Sequence, residues 1–189
     1  MPMIRECVVT TVGPMGQPHL APLGLIEDGE HWIIAPFRPS TTLANLEAAP
    51  FATASFIDDV RIIVGCVCGR TDWPLAPVPG WSTPRLAAAL SHAELEVIRN
   101  EADPKRPRFY CHVRKIVSHA PFLGFNRAQA AVVEAAILAT RLGLLPREKI
   151  DTELAYLQIA VDKTAGPVER EAWDLATAKI KSYLQTQPD

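Results

Sequence analysis

The sequence predicts a mixed chain, mainly β with α, in which six antiparallel strands form a closed or nearly closed barrel and helices follow at the carboxy end. Short segments rich in β-branched residues recur from Ile4 to about His119, each bounded by a turn signal. After Phe125 the apolar spacing changes to a helical one. Six strands with short connections must remove or protect their edges, and closing the sheet does this.

The elements follow in order. "ECVVTTV" is a strand, "PMGQP" a turn, "HLAPLGLIED" a second strand, "EDGE" a turn and "HWIIAPF" a third strand. A short helix covers residues 41–48 and stops before Pro50. "FATASFID" then sets Phe51, Thr53 and Ser55 on one face and Ala52, Ala54 and Phe56 on the other, the pattern of a half-buried strand. "DVRIIVGCVCG" fits helix or strand. "TDWPLAPVPGWSTP" is a long proline-rich loop, either a lid over an aromatic ligand or, the reading favoured here, a loop anchored by Trp73 and Trp81. "AELEVIRNEA" and "RFYCHVRKIVSHA" complete the barrel across the turn "DPKRP".

In the carboxy-terminal part, Asn126 caps an Ala-rich helix and Pro146 opens a second with Ile150, Leu154, Leu157 and Val161 on one face. Gly166 and Pro167 separate a third carrying Trp173, Ala176, Ile180 and Leu184. The first of these is apolar almost all round, so close neighbours must cover it, whether the barrel, the other two helices or a second subunit; the helices are expected to be intermolecular as well, in a homodimer. Residues 1–122 are therefore read as the barrel domain and 123–189 as a three-helix extension.

Composition narrows the function. The 189 residues are 48% hydrophobic, enough for a sizeable core. A formal charge of −2 with no long run of either sign excludes an electrostatic footprint for nucleic acid or an anionic membrane, and points to a small-molecule partner. The start "MPMIRECVVTTVG" lacks the pattern of a signal peptide, and the expected location is cytoplasmic. Cys7, Cys66, Cys68 and Cys111 are spaced as reduced thiols rather than a disulfide or metal framework. His19, His92 and His119 accompany no nucleophile motif, so no catalytic residue is assigned. Asp58 and Asp59 read as a solvated turn.

The stretch "APFRPSTTLANLEAAPF" carries the chemistry. Where a strand hands over to a helix, free backbone N–H groups and the positive end of the helix dipole favour an anion. Ser40, Thr41 and Thr42 add hydroxyls there, and Arg38 adds a guanidinium suited to phosphate oxygens. A helix cap alone needs one hydroxyl and no arginine. There is no GxxxxGK[ST] and no GxGxxG, so a scaffold other than a P-loop or Rossmann fold must hold the phosphate.

The succession "GQP", apolar strand, "DGE", apolar strand, "RPSTTLANLEAAPFATASF" resembles the FMN-binding split barrels, which include pyridoxamine phosphate oxidases and flavin reductases, over about residues 4–119. Within that superfamily the chain is most similar to an uncharacterised domain-of-unknown-function family of methanogens and methylotrophs, whose barrel is followed by helices beginning "FNRA", here Phe125 to Ala128. The resemblance implies a six-stranded split β-barrel with a carboxy-terminal helical extension and an FMN cofactor. It places the flavin phosphate on Arg38, Ser40, Thr41 and Thr42, with Asn45 nearby, and the flavin ring along the second strand, on backbone groups of Ala21, Leu23 and Gly24. Arg127 opens a helix against its dipole, which calls for an anionic partner, and it is counted with the cofactor residues. Pyridoxamine phosphate oxidases carry basic residues at both ends of the second strand and an Arg-Lys pair after the serine. Here the corresponding positions hold His19, Gly24, Thr41 and Thr42, so the resemblance does not extend to that oxidase activity. It implies a flavin-dependent oxidoreductase using a small molecule or NAD(P)H, linked to tetrahydromethanopterin one-carbon metabolism; the alternative is a flavin carrier or redox sensor without catalysis.

Overall fold

The computed structural model describes residues 2–186. The chain divides into two compact units: one takes the residues up to Ile57 together with Thr71–Phe122, the other Asp58–Arg70 and the residues from Leu123 onward.

The first unit is a closed antiparallel barrel. Its strands are β1 (Ile4–Val12), β2 (Pro18–Asp28), β3 (His31–Ile34), β4 (Phe51–Phe56), β7 (Ser91–Glu101) and β8 (Arg108–Ser118), in the order β1-β2-β3-β8-β7-β4. Between β4 and β7 lie the helix α2 (Val60–Val67), which belongs to the other unit, and a small hairpin, β5 (Leu75–Ala76) with β6 (Arg85–Leu86). The barrel is filled by Cys7, Val9, Leu25, Ile34, Ala52, Ala54, Ala93, Leu95, Phe109 and Cys111. Leu43 and Leu46 of α1 (Thr41–Ala48) join this core. Alternation along the strands sends these residues inward, and alanines at 52, 54 and 93 keep the interior of a small barrel from overfilling.

The strand at Phe51–Phe56 is buried on both faces rather than one. Its outward hydroxyls are covered by the long loop: Thr53 Oγ1 bonds Thr83 O at 2.9 Å, Leu86 N donates to Ser55 Oγ at 3.1 Å, and Trp81 Nε1 donates to Ala52 O at 3.2 Å. Phe51 and Trp81 pack edge to face, with centroids 5.0 Å apart. Covering this strand is the loop's structural task; the strand pattern was polar outside only because its partners are polar.

Among the described residues the second unit holds the three helices expected of residues 123–189 together with one more, from the 58–70 segment. The ambiguous segment is α2, whose N-cap Asp59 accepts from Arg61 N at 3.1 Å and pairs with the Arg61 guanidinium at 2.7 Å. Asp59 is thus a cap rather than a solvated turn. Arg61 also reaches Glu171 at 3.1 Å on α5 (Pro167–Thr186). The Ala-rich helix α3 (Arg127–Thr140) is covered by α2, α4 (Arg147–Thr164) and α5 of its own chain, and Ala128, Ala131, Ala135 and Ala136 are buried there. Of the neighbours expected for it, the other two helices are present, and α2 adds a further one from within the chain. No described helix is long and apolar enough to cross a membrane.

Candidate functional site

At the end of β3 the chain leaves the sheet and enters α1. Ser40 is the N-cap: its Oγ accepts from Leu43 N at 3.2 Å, and its carbonyl takes Ala44 N. The N–H groups of Thr41 and Thr42 lie in the first turn, where no intrahelical acceptor exists. Thr41 is exposed and Thr42 is buried. Asn45 is also buried, and its amide donates to Thr11 Oγ1 at 3.0 Å, pinning α1 to β1. Of the hydroxyl triplet, then, one is a cap, one faces solvent and one turns inward, while Asn45 is committed to the fold. Arg38 is half-exposed, and among the described residues its only carboxylate contact is a 3.5 Å approach to Glu47, itself half-exposed. A contact that long and that wet holds the guanidinium weakly and leaves it available.

The second strand offers an open edge. β2 pairs with β1 along Pro18–Ile26, but with β3 only at Ile26–Asp28. Backbone groups alternate between the two edges of a strand. Glu27 N donates to Met3 O on the β1 side, so in an unbroken register the odd-numbered residues face β1 and the even-numbered ones face the open edge. Pro18 and Pro22, which have no N–H to give, occupy even positions as this requires. Gly24 therefore directs its N–H and carbonyl to the open side. Ala21 and Leu23 do not: their backbone groups are spent on Val9 and Cys7, and Leu23 packs against the core. The expectation that all three offer backbone bonds is corrected to Gly24, joined by Leu20 and the Pro22 carbonyl. Gly24 is also sterically required, because a Cβ there would sit 2.6 Å from Ile4 Cγ2.

The structure adds charge that the sequence did not reveal. β3 pairs with β8 through Ile34 and Phe109, which brings the 103–107 turn beside the segment leading to α1. Arg38 N donates to Lys105 O at 2.9 Å, and Arg106 Nε donates to Ala35 O at 2.7 Å. Lys105 and Arg106 are both exposed. "DPKRP" read as a turn carries no hint of this; only the hairpin register places it.

Arg127 is the first residue of α3, exposed and in the other unit, and its side chain makes no hydrogen bond or ion pair to any described residue. Burial pushes the Cys7 and Cys111 thiols up to about 12, which disfavours the thiolate at both. Cys66 lies on α2 and Cys68 at its C-cap. No metal-binding group of His, Cys, Asp and Glu occurs among the described residues. His19, at the start of β2, is held below its usual range by burial. A further histidine pair escaped the sequence altogether: His92 Nδ1 and His119 Nε2 are 2.8 Å apart, and His92 is buried.

The six-stranded closed barrel has the fold of the flavin-reductase-like proteins. The chain belongs to the family of proteins of unknown function DUF447: its N-terminal domain matches residues 5–120, and its following domain matches residues 126–176. An FMN-bound protein of Methanosarcina mazei from that family shares 20% identity over 95% of this chain and 96% of its own, with a TM-score of 0.78. A flavoredoxin of Methanosarcina acetivorans shares 13% identity over 66% and 72%, with a TM-score of 0.53. A 2-nitrobenzoate 2-nitroreductase of Pseudomonas fluorescens shares 16% over 63% and 66%, also with a TM-score of 0.53. At these identities the likeness is one of fold. No curated protein matches the sequence.

Proposed function

We propose that this protein is a flavoprotein that binds FMN and exchanges electrons between the flavin and a small molecule. The observation that carries the reading is the weakly held Arg38 guanidinium at the α1 N-terminus, with the open edge of β2 on the same barrel. The residues fit the cofactor's chemistry. A phosphate takes Arg38 and the N–H groups of Thr41 and Thr42, with the Thr41 hydroxyl in reach of solvent. The polar edge of the flavin ring takes the N–H and carbonyl of Gly24, where the missing Cβ permits close approach. Bound flavin supplies the redox chemistry; the protein supplies phosphate anchoring, backbone bonds and exclusion of water. The fold neighbours, an FMN-bound protein, a flavoredoxin and a nitroreductase, support the same class of reaction.

The reading also proposes a homodimer, and a link to one-carbon metabolism that follows from the family resemblance. The test is direct. The purified protein is examined by visible absorption, and whatever heat releases is weighed by mass spectrometry, before and after reconstitution with FMN. A flavin spectrum with the mass of FMN supports the reading, and reduction by NADH or NADPH with turnover of an acceptor supports the enzyme over a carrier. A protein that neither carries nor takes up flavin sinks it.

A further inference from the structure

We propose that Phe37, Lys105 and Arg106 form a subsite for an adenosine diphosphate group, with the diphosphate on the two cations and the adenine on the Phe37 ring. This goes beyond the FMN reading, since FMN has neither a second phosphate nor an adenine.

The 103–106 turn is built before any ligand arrives. Asp103 Oδ1 accepts from Lys105 N at 2.8 Å and from Arg106 N at 2.6 Å. These two bonds hold the Asp103 carboxyl below its usual range, so it stays an acceptor for the backbone. Lys105 O and Arg106 Nε are fixed to Arg38 N and Ala35 O on the adjoining segment. Four hydrogen bonds thus set the position of the turn, and Arg106 is oriented by a neutral carbonyl rather than by a carboxylate. Its charge is not neutralised, and its two terminal nitrogens remain to donate. The Lys105 ammonium has no hydrogen bond or ion pair to any described residue. Lys105 and Arg106 are consecutive in the turn; neither makes an ion pair among the described residues, and the one carboxylate that feels the Lys105 charge is Asp103, already committed to the backbone.

The aromatic partner points to the class of ligand. Phe37 is 62% exposed, and the Arg106 guanidinium lies 4.9 Å from its ring centroid. An arginine stacked on an exposed phenylalanine is a platform on which a flat base gains both stacking and cation–π attraction. A lone phosphomonoester needs neither the second cation nor the ring. Two linked phosphates span two adjacent cations, and an adenosine brings the planar group. The adenosine diphosphate moiety has two sources, a nicotinamide dinucleotide acting as electron donor or the tail of FAD.

The test titrates ADP, inorganic pyrophosphate, FMN, FAD and NADH into the protein, into Lys105→Ala and into Phe37→Ser. Both positions are exposed, and unchanged melting temperatures establish that the variants fold. The expected result is saturable ADP binding weakened fivefold or more in each variant. Pyrophosphate should weaken only in Lys105→Ala, and FMN affinity should hold within twofold throughout. NADH competing with ADP on FMN-loaded protein identifies the donor as the source. FAD binding more tightly than FMN, with the same dependence on Lys105, identifies the flavin tail. No ADP binding to the parent, or equal ADP affinity in parent and variants, overturns the subsite. A Lys105→Ala loss that is as large for FMN as for ADP also overturns it, by placing the lysine on the flavin phosphate. ADP binding that depends on both residues in a protein that takes up no FMN leaves the subsite standing and removes the flavin reading alone.

Discussion

Asn45 Nδ2 donates to Thr11 Oγ1 at 3.0 Å, and both residues are buried, so the helix that opens the candidate anion site is tied to the end of the first strand by one buried bond. Thr11→Val keeps the shape and leaves the amide unsatisfied, which costs about 1 to 3 kcal/mol. The expected readout is a lowered denaturation midpoint in urea with an unchanged slope. FMN affinity, measured where the variant is folded, should stay near that of the parent. A large affinity loss without destabilisation would return Asn45 to the cofactor.

The loop over β4 makes a second stability prediction. Trp81→Phe preserves an aromatic ring against Phe51 but removes the Nε1 bond to Ala52 O. The expected loss is about 0.5 to 1.5 kcal/mol, together with earlier proteolytic cleavage in residues 71–90. Cleavage unchanged from the parent would show that the loop is held by other contacts.

The histidine pair sets a pH dependence. His92 is held below its ordinary value of 6.5, chiefly by burial and then by the neighbouring His119; burial also lowers His119, and Arg85 lowers it further. Both groups therefore bind protons more readily in the unfolded chain, so stability is full above 6.5 and falls as pH drops through the lower folded values. Glu94, 3.7 Å from His92 Nε2, opposes the shift without cancelling it. His119→Gln should flatten the decline in melting temperature between neutral and mildly acidic pH. A decline as steep as the parent's would assign it to other groups.

Ala135 is fully buried among four helices of one chain. Ala135→Glu should cost more than about 3 kcal/mol by burying an unpaired charge, and should unfold the helical unit. Circular dichroism separates this from loss of a dimer. A variant with full helicity that only changes its oligomeric state would support the intermolecular reading of α3.

Much of the barrel was legible because each strand states its own period and each turn its own chemistry: Gly16 and Gly29 both adopt positive φ in the turns read at "PMGQP" and "EDGE". The start of α1 after Arg38 was legible for the same local reason, but not which hydroxyl caps it: Ser40 does, where the sequence reading gave all three hydroxyls to a phosphate. What the sequence withheld depends on register. Lys105 and Arg106 meet the Arg38 segment only because Ile34 pairs with Phe109, and the His92–His119 pair spans the β7–β8 hairpin. Ala21 and Leu23 were misplaced because a strand's two edges are indistinguishable until its neighbours are known. The segment at 59–69 was ambiguous because a short apolar run has no period of its own, and its helical state is settled by the Asp59 cap and by α3 and α5.

The measurement that bears most directly on the flavin site is a titration of FMN and riboflavin into the parent and into Arg38→Ala, followed by fluorescence quenching. If Arg38 makes a charge-assisted contact with the phosphate, the substitution weakens FMN about tenfold to a hundredfold and leaves riboflavin, which lacks the phosphate, nearly unchanged. The half-exposed Arg38 contributes little to the fold, so the ligand-free melting temperature should hold. Equal affinities for FMN and riboflavin, in parent and variant alike, would contradict a phosphate site at residues 38–42.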